Sequence, residues 1–244
     1  MSGPLDPALL ALLRRVDTPT VCNAIEVAQG ARGFANFTRA TMQHSAAFSG
    51  GGGGAGGAPP MVGFARTARI AGLVAPSDAK EVLRARRMAY FRAMAEGEGP
   101  RLAVIEDLDG ADAIAGWWGE VHVAVHRGLG LSGAVTNGVM RDLGASRDDF
   151  PVLAGSVGPS HGFVHVVDIG GPVEIFGMQV AHGDLVHADC HGALVVPRAV
   201  WGGLAAAIAK VAEAEAIILG PAGEPGFGIA RLEEVWPLFE AART

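Results

Sequence analysis

The stretch Gly133-Ala134-Val135-Thr136-Asn137-Gly138-Val139-Met140-Arg141-Asp142 decides how the chain is read. It starts as a small apolar strand, breaks at Asn137-Gly138 and then sets a guanidinium beside a carboxylate. Asn-Gly is a turn dipeptide because both residues tolerate positive φ at little cost. A strand over 134–136 followed by a cation and an acid puts both where open α/β sheets hold ligands, past the carboxyl ends of strands. The plainer reading is an exposed ion pair after a loop, a weak interaction.

Working outward, the spacing predicts a helix over 5–15 and a second one from Thr18, with Thr18 as cap, Pro19 in the first turn and an end before Gly30. Gly50 to Gly57 is glycine except at Ala55, which reads as a surface loop. A phosphate cradle is the alternative, though the run lacks a Lys-Ser/Thr ending. Residues 61–74 look strand-like. A helix is expected over 79–95, capped by Ser77 or Asp78, then a buried strand at Leu102–Ile105. Trp117-Trp118-Gly119-Glu120 leads into a helix to about Arg127, and the opening stretch supplies the next strand. This βαβ rhythm implies parallel pairing and a right-handed crossover. From Phe150 the period changes to short strands at 151–154, 163–167, 173–176, 185–188 and 193–196. An Ala-rich helix over 198–218 and a partly helical tail follow. A single α/β domain spanning 1–244 is the expectation, βαβ units followed by a strand-rich half.

With 244 residues, half of them hydrophobic, the chain can bury a sizeable core. A formal net charge of -6 argues against nucleic acid as the main partner. Two cysteines, Cys22 and Cys190, make no disulfide framework, so a cytoplasmic setting is expected. The first residues read as an amphipathic helix and not a signal peptide. No apolar run is long enough to span a bilayer, so no membrane partner is expected.

Adjacent parallel strands would bring the Trp118-Gly119-Glu120-Val121 loop and the Arg141-Asp142 loop to one end of the sheet. Free N–H groups at a helix start bind anions, and Gly119 allows close approach. Arg141 can grip a carboxylate, and Asp142 can hold a hard divalent cation such as Mg²⁺. Together these parts would chelate a small 2-oxo acid, whose enolate the cation and Arg141 would both stabilise. Lys80 and Lys210 fall in predicted helices away from these loops, which counts against a Schiff base.

From about Thr18 to Pro197 the chain resembles the RraA-like family, which includes 4-hydroxy-4-methyl-2-oxoglutarate aldolases and the regulator of ribonuclease activity A. The resemblance is carried by Trp118-Gly119-Glu120, Gly133 to Asp142, Phe150-Pro151-Val152-Leu153-Ala154, Gly183-Asp184-Leu185-Val186 and Asp189-Cys190-His191-Gly192-Ala193-Leu194-Val195-Val196-Pro197. It implies a swivelling β/β/α fold, homotrimers or homohexamers, a Mg²⁺ or Mn²⁺ site between subunits, and aldol cleavage or oxaloacetate decarboxylation that releases pyruvate. It also implies metal binding by Asp142, substrate binding by Arg141, and carboxylate binding by the amides at Gly119, Glu120 and Val121. One departure is Ala145, where aldolases of the family carry an acid, with Asp148 or Asp149 as possible substitutes. Another is Asn23, where relatives often have Asp.

Three histidine pairs, His122/His126, His161/His165 and His187/His191, are four residues apart. They read either as structural groups or as a transition-metal or acid/base set. His122, nearest the proposed carboxylate cradle, is the candidate catalytic histidine. A rival function is a non-catalytic protein that docks on a ribonuclease. A methyltransferase finds no support, since no Gly-rich nucleotide loop follows a first strand.

Overall fold

The computed structural model describes residues 5–48, 58–143 and 149–243. The glycine run at 50–57, Ala145 and Asp148 lie outside the described residues. In chain order the elements are α1 (Pro7–Leu13), α2 (Thr18–Gln29), β1 (Gln43–His44), β2 (Met61–Ala71), α3 (Lys80–Ala95), β3 (Arg101–Asp107), β4 (Gly116–Trp118), α4 (Glu120–Gly128) and β5 (Leu131–Thr136). Then come β6 (Val139–Met140), β7 (Val152–Ala154), β8 (Ser156–Val157), β9 (His165–Ile169), β10 (Val173–Ile175), β11 (Met178–Val180), β12 (Leu185–Asp189), β13 (Gly192–Val195), α5 (Trp201–Ala222) and α6 (Ile229–Arg243). They form two compact units, Met1–Phe34 with Pro197–Thr244, and Ala35–Val196.

The first unit is helical. Asp17 caps α2 by accepting from the Thr20 amide at 2.9 Å, and Pro19 sits in the first turn, where a missing N–H costs nothing. The expected cap, Thr18, is instead the first helical residue. Gly30 ends the helix in the left-handed conformation, φ 64°. Val21, Ala24 and Ile25 form the buried stripe of α2, and α2 and α6 both pack on α5.

The second unit carries the site. Among the described residues its main sheet runs β1-β7-β5-β3-β2-β12-β13, with β9 also on β2. β2, β3, β5 and β7 are mutually parallel, and β1, β12, β13 and β9 join antiparallel. The expected βαβ rhythm is present as β2-α3-β3 and as β3 and β5 bridged by α4. All five expected late strands are found, and the short β8 and β11 join them.

Both faces of the parallel core are buried, so β3, β5 and β7 read largely as apolar runs, while β2 also carries Arg66, Thr67 and Arg69. Side chains alternate: Ala103 and Ile105 face a cluster with Tyr90 and Met94 of α3 and Val123 of α4, while Leu102 and Val104 face a second with Val173, Ile175, Met178 and Val180 of the β10–β11 hairpin. The expected helix cap at Ser77 or Asp78 is absent. The cap position is Ala79, with no side-chain bond, and Asp78 instead bonds Arg86 at 3.0 Å.

Asn137-Gly138 is present for a different reason from the expected one, since neither residue takes positive φ. The Asn137 side chain bridges the end of the neighbouring strand: Oδ1 accepts from the Asp107 amide at 2.7 Å and Nδ2 donates to the Asp107 carbonyl at 2.9 Å. A Cβ on Gly138 would stand 2.9 Å from the Asp107 side chain, so only glycine fits. Asn137→Ala leaves two backbone groups at the end of β3 without partners. It is expected to cost about 2–3 kcal/mol in urea unfolding, and Asn137→Asp, which has no donor, should recover less than half of that. A loss below about 0.5 kcal/mol would show that the bridge contributes little.

Candidate functional site

A small parallel sheet, β4-β6-β8, brings the two loops together. Trp118 of β4 pairs with Met140 of β6, and the Arg141 amide donates to the Trp118 carbonyl at 2.8 Å. The chain leaves β4 at Gly119 into α4 and leaves β6 into Arg141-Asp142, so both exits lie side by side. The predicted residues Gly119, Glu120, Arg141 and Asp142 therefore meet.

Arg141 Nη1 donates to Asp142 Oδ1 at 3.2 Å, and Asp142 Oδ2 accepts from the Glu120 amide at 3.2 Å. Asp142 thus sits at the N-terminus of α4, where a carboxylate is favoured by the exposed amides. It reaches this position with φ 55°, a left-handed conformation that Asp tolerates better than most side chains. A Cβ on Gly119 would fall 2.5 Å from Asp142 Oδ2 and 3.1 Å from Arg141 Nε, which accounts for the glycine. The Glu120 amide, expected to serve a ligand, donates here to Asp142. The first-turn amides of Val121 and His122 remain as donors without an intrahelical acceptor.

A cavity of about 450 Å³ opens beside this pair, lined among others by Arg87, Gly119, Val121, His122, Arg141 and His161. Among the described residues its lining contains no Asp or Glu. Gly116 also matters here, since a Cβ would stand 3.0 Å from Arg141 Cδ and crowd the arginine stem. Arg141 Nε and His122 Nδ1 are buried with no hydrogen-bond partner among the described residues. Polar atoms in that condition are satisfied by water or a ligand.

His122 and His126 share a face of α4, as their spacing predicts, but they differ in role. His126 is enclosed. Its Nδ1 faces the His122 carbonyl at 2.6 Å, which can only accept, so Nε2 accepts from the Tyr90 hydroxyl at 2.5 Å. The Trp117 indole in turn donates to Tyr90 at 3.4 Å. Burial pulls the His126 pKa down to about 4. His122 packs against the Trp117 ring at 4.1 Å between centroids. Its pKa is pulled down to about 3, by burial first and then by the nearby charges of His126, Arg87 and Arg141. His122 is therefore neutral at physiological pH and can serve as a hydrogen-bonding wall but not as a standing acid.

The other pairs do not converge on the cavity as metal sets. His161 and His165 each bond a nearby carbonyl, and His187 is buried while His191 is in a turn. Among the described residues one cluster has three metal-type donors: Asp189, Cys190 and His191, at the β12–β13 turn and outside the cavity lining. Cys190 Sγ is 3.6 Å from His191 Nδ1. Asp149, named as a substitute for the acid replaced by Ala145, pairs with Arg127 (2.6 Å from Nε). Neither Lys80 nor Lys210 lines the cavity. Arg87 is the charged lining residue that sequence reasoning missed, because no motif links α3 to the two loops.

The RraA-like family, described as Aldolase/RraA, matches residues 18–195. A Halalkalibacterium halodurans protein named "Putative 4-hydroxy-4-methyl-2-oxoglutarate aldolase" is 28% identical over 129 residues, covering 52% of this chain and 60% of that relative's length. An uncharacterized protein from Pseudomonas syringae pv. tomato is similar in structure with TM-score 0.68 and 18% identity, over 98% of this chain and 97% of that one. Streptomyces coelicolor RraAS2, titled an unusual member of the RNase ES inhibitor RraA protein family, gives TM-score 0.63 and 20% identity, over 92% and 100%. At such identities the structural likeness concerns the fold, and it bears out the α/β class expected from the sequence.

The two histidines carry a pH signature. Their folded pKa values, about 3 and about 4, lie below the ordinary 6.5, so the unfolded chain binds more protons between those limits. Their stabilisation is full above pH 6.5 and is lost as pH falls. Asp107 acts in the opposite sense, because burial raises its pKa from 3.8 to about 6. Urea unfolding between pH 4.5 and 6.5 should therefore show a shallower rise of stability with pH in His122→Gln and a steeper one in Asp107→Asn. The change for each is at most about 1.4 kcal/mol per pH unit. Slopes equal to that of the unsubstituted protein would contradict the assignment.

Proposed function

The chain belongs to the RraA-like family, and on that premise we propose that it is a divalent-metal-dependent lyase acting on a small 2-oxo dicarboxylic acid. The reaction would be of the 4-hydroxy-4-methyl-2-oxoglutarate aldolase or oxaloacetate decarboxylase type, with pyruvate as product. The observation that carries this reading is the cavity: it has arginines and no acid in its described lining, and one carboxylate, Asp142, stands beside it on a helix N-terminus.

The metal is the family's expectation, and the donor chemistry is compatible with it. The Asp142 side chain is 35% exposed, and among the described residues each of its oxygens accepts one hydrogen bond and has a second acceptor position. A single partly exposed carboxylate fits a hard cation such as Mg²⁺ or Mn²⁺ that keeps most of its waters. When bound, such a cation would supply Lewis-acid stabilisation of the 2-oxo oxygen.

The remaining work falls to this chain's own groups. The amides of Val121 and His122 would receive the substrate's 1-carboxylate at the positive end of α4. Arg141 would face the 2-oxo oxygen, where negative charge collects as the C3–C4 bond breaks and its electrons move into the carbonyl. Neutral His122 would supply a hydrogen bond without placing a third positive charge beside the two arginines. Assembly as a homotrimer or homohexamer in the cytoplasm belongs to the same reading. Among the described residues no helix is long and apolar enough to cross a membrane.

The test is pyruvate release from oxaloacetate and from 4-hydroxy-4-methyl-2-oxoglutarate, followed with lactate dehydrogenase. Activity is expected to stop in EDTA and to return with Mg²⁺ or Mn²⁺. Arg141→Lys, which loses the bidentate fork, should lower kcat/KM by about 100-fold, and Asp142→Asn should abolish metal-dependent turnover. Equal rates with and without EDTA would overturn the metal assignment. Absence of pyruvate release together with tight binding to a ribonuclease would favour the non-catalytic function.

A further inference from the structure

Two guanidiniums from distant parts of the chain line one cavity, Arg141 after β6 and Arg87 on α3. The proposed chemistry uses only Arg141. Arg86, next to Arg87, is already committed to Asp78 at 3.0 Å and to the Val166 carbonyl at 3.3 Å. Arg87 has no acidic partner within salt-bridge distance among the described residues, and no acid lines the cavity it faces. Burial first, and then the charges of His126, Arg87 and Arg141, hold the His122 pKa down, so both arginines act on that imidazole from different elements. At about 450 Å³ the cavity is within the range of roughly 300–1,000 Å³ typical of small-molecule sites.

We propose that Arg87 binds the carboxylate at the end of the substrate remote from Arg141, so that the cavity selects 2-oxo acids with a second anionic group over monocarboxylates. This rests on the lyase reading of the same site and adds the residue that sets its substrate preference. The α4 amides and Arg141 take the 1-carboxylate and the 2-oxo oxygen, which leaves Arg87 uncompensated in a space without acids. A second carboxylate neutralises it through a charge-assisted hydrogen bond. Pro76, Phe163 and Val164 add apolar surface to the same lining, suited to the uncharged part of such a molecule.

The experiment compares 4-hydroxy-2-oxoglutarate with 4-hydroxy-2-oxopentanoate, in which a methyl group replaces the distal carboxylate, on the unsubstituted protein, Arg87→Met and Arg87→Lys. Calorimetric titration of 2-oxoglutarate and of pyruvate onto the same three proteins runs alongside. Arg87 is exposed on its helix, and the melting temperature of each variant checks its fold. Arg87→Met is expected to raise KM for the dicarboxylate by roughly 10-fold or more and to leave the monocarboxylate unchanged. Arg87→Lys should recover part of the loss. Equal losses on both substrates, or none on either, overturn the role of Arg87 and leave the lyase reading intact. If the unsubstituted protein releases no pyruvate, the lyase reading falls and the titrations decide. A preference for 2-oxoglutarate that vanishes in Arg87→Met upholds Arg87 as an anion site, and absence of any preference overturns it.

Discussion

The pairing of β4 with β6 is the constraint on which the site depends. Each strand is only two or three residues long, yet the Trp118–Met140 register and the Arg141-to-Trp118 hydrogen bond fix two chain exits at one place. Everything polar in the site follows from those exits. Gly119 can turn into α4 with Asp142 against it because a side chain there would overlap the carboxylate. Asp142 takes a left-handed backbone to reach the helix terminus, a conformation that persists when its surroundings hold it. Here the surroundings are the Glu120 amide on one carboxylate oxygen and the Arg141 guanidinium on the other.

Behind this polar rim stands a neutral aromatic wall. Trp117, Tyr90 and His126 form a hydrogen-bonded chain that ends on the His122 carbonyl, and Phe91 and Phe150 pack around it. A protonated imidazole in that setting would be desolvated, with one arginine on α3 and another on the β6 exit nearby. Keeping both histidines neutral lets the wall be buried without charge, so the field in the cavity comes from the arginines and the start of α4. Tyr90 fits the same logic, since its enclosed hydroxyl is pushed further from ionisation by burial.

Much of this was legible in the sequence because the relevant signals are local. The βαβ alternation follows from apolar runs, glycine stops and helical spacing, and Gly-Glu and Arg-Asp mark the two exits. Asn137-Gly138 was recognisable as a break, yet its cause was not. The pair serves a contact with Asp107, thirty positions away, and a side chain that bridges strands leaves no mark in its own neighbourhood. Strands as short as β4, β6 and β8 are likewise invisible to periodicity, since two or three residues show no alternation. Arg87 could not be found for a similar reason, because an arginine on an amphipathic helix looks like any solvated cation until the fold turns it toward Arg141. Asp17 in place of Thr18 at the α2 cap is a shift of one residue, to the stronger of two adjacent capping side chains.

The charge pattern around Asp142 constrains what can complete the site. Ala145 supplies no carboxylate by its chemistry, and Asp149 is committed to Arg127 on the last turn of α4. Glu120 contributes its amide to Asp142, and its side chain is exposed. Within the described residues, then, Asp142 is the one acid in direct contact with the site, and it is shared between a guanidinium and a helix terminus. Two arginines and the amides of α4 together carry more positive character than one carboxylate offsets. A ligand that brings two negative groups balances this arrangement, whereas a monoanion leaves one arginine to solvent. The dicarboxylate proposed for this cavity answers to what the cavity lacks as well as to what it contains.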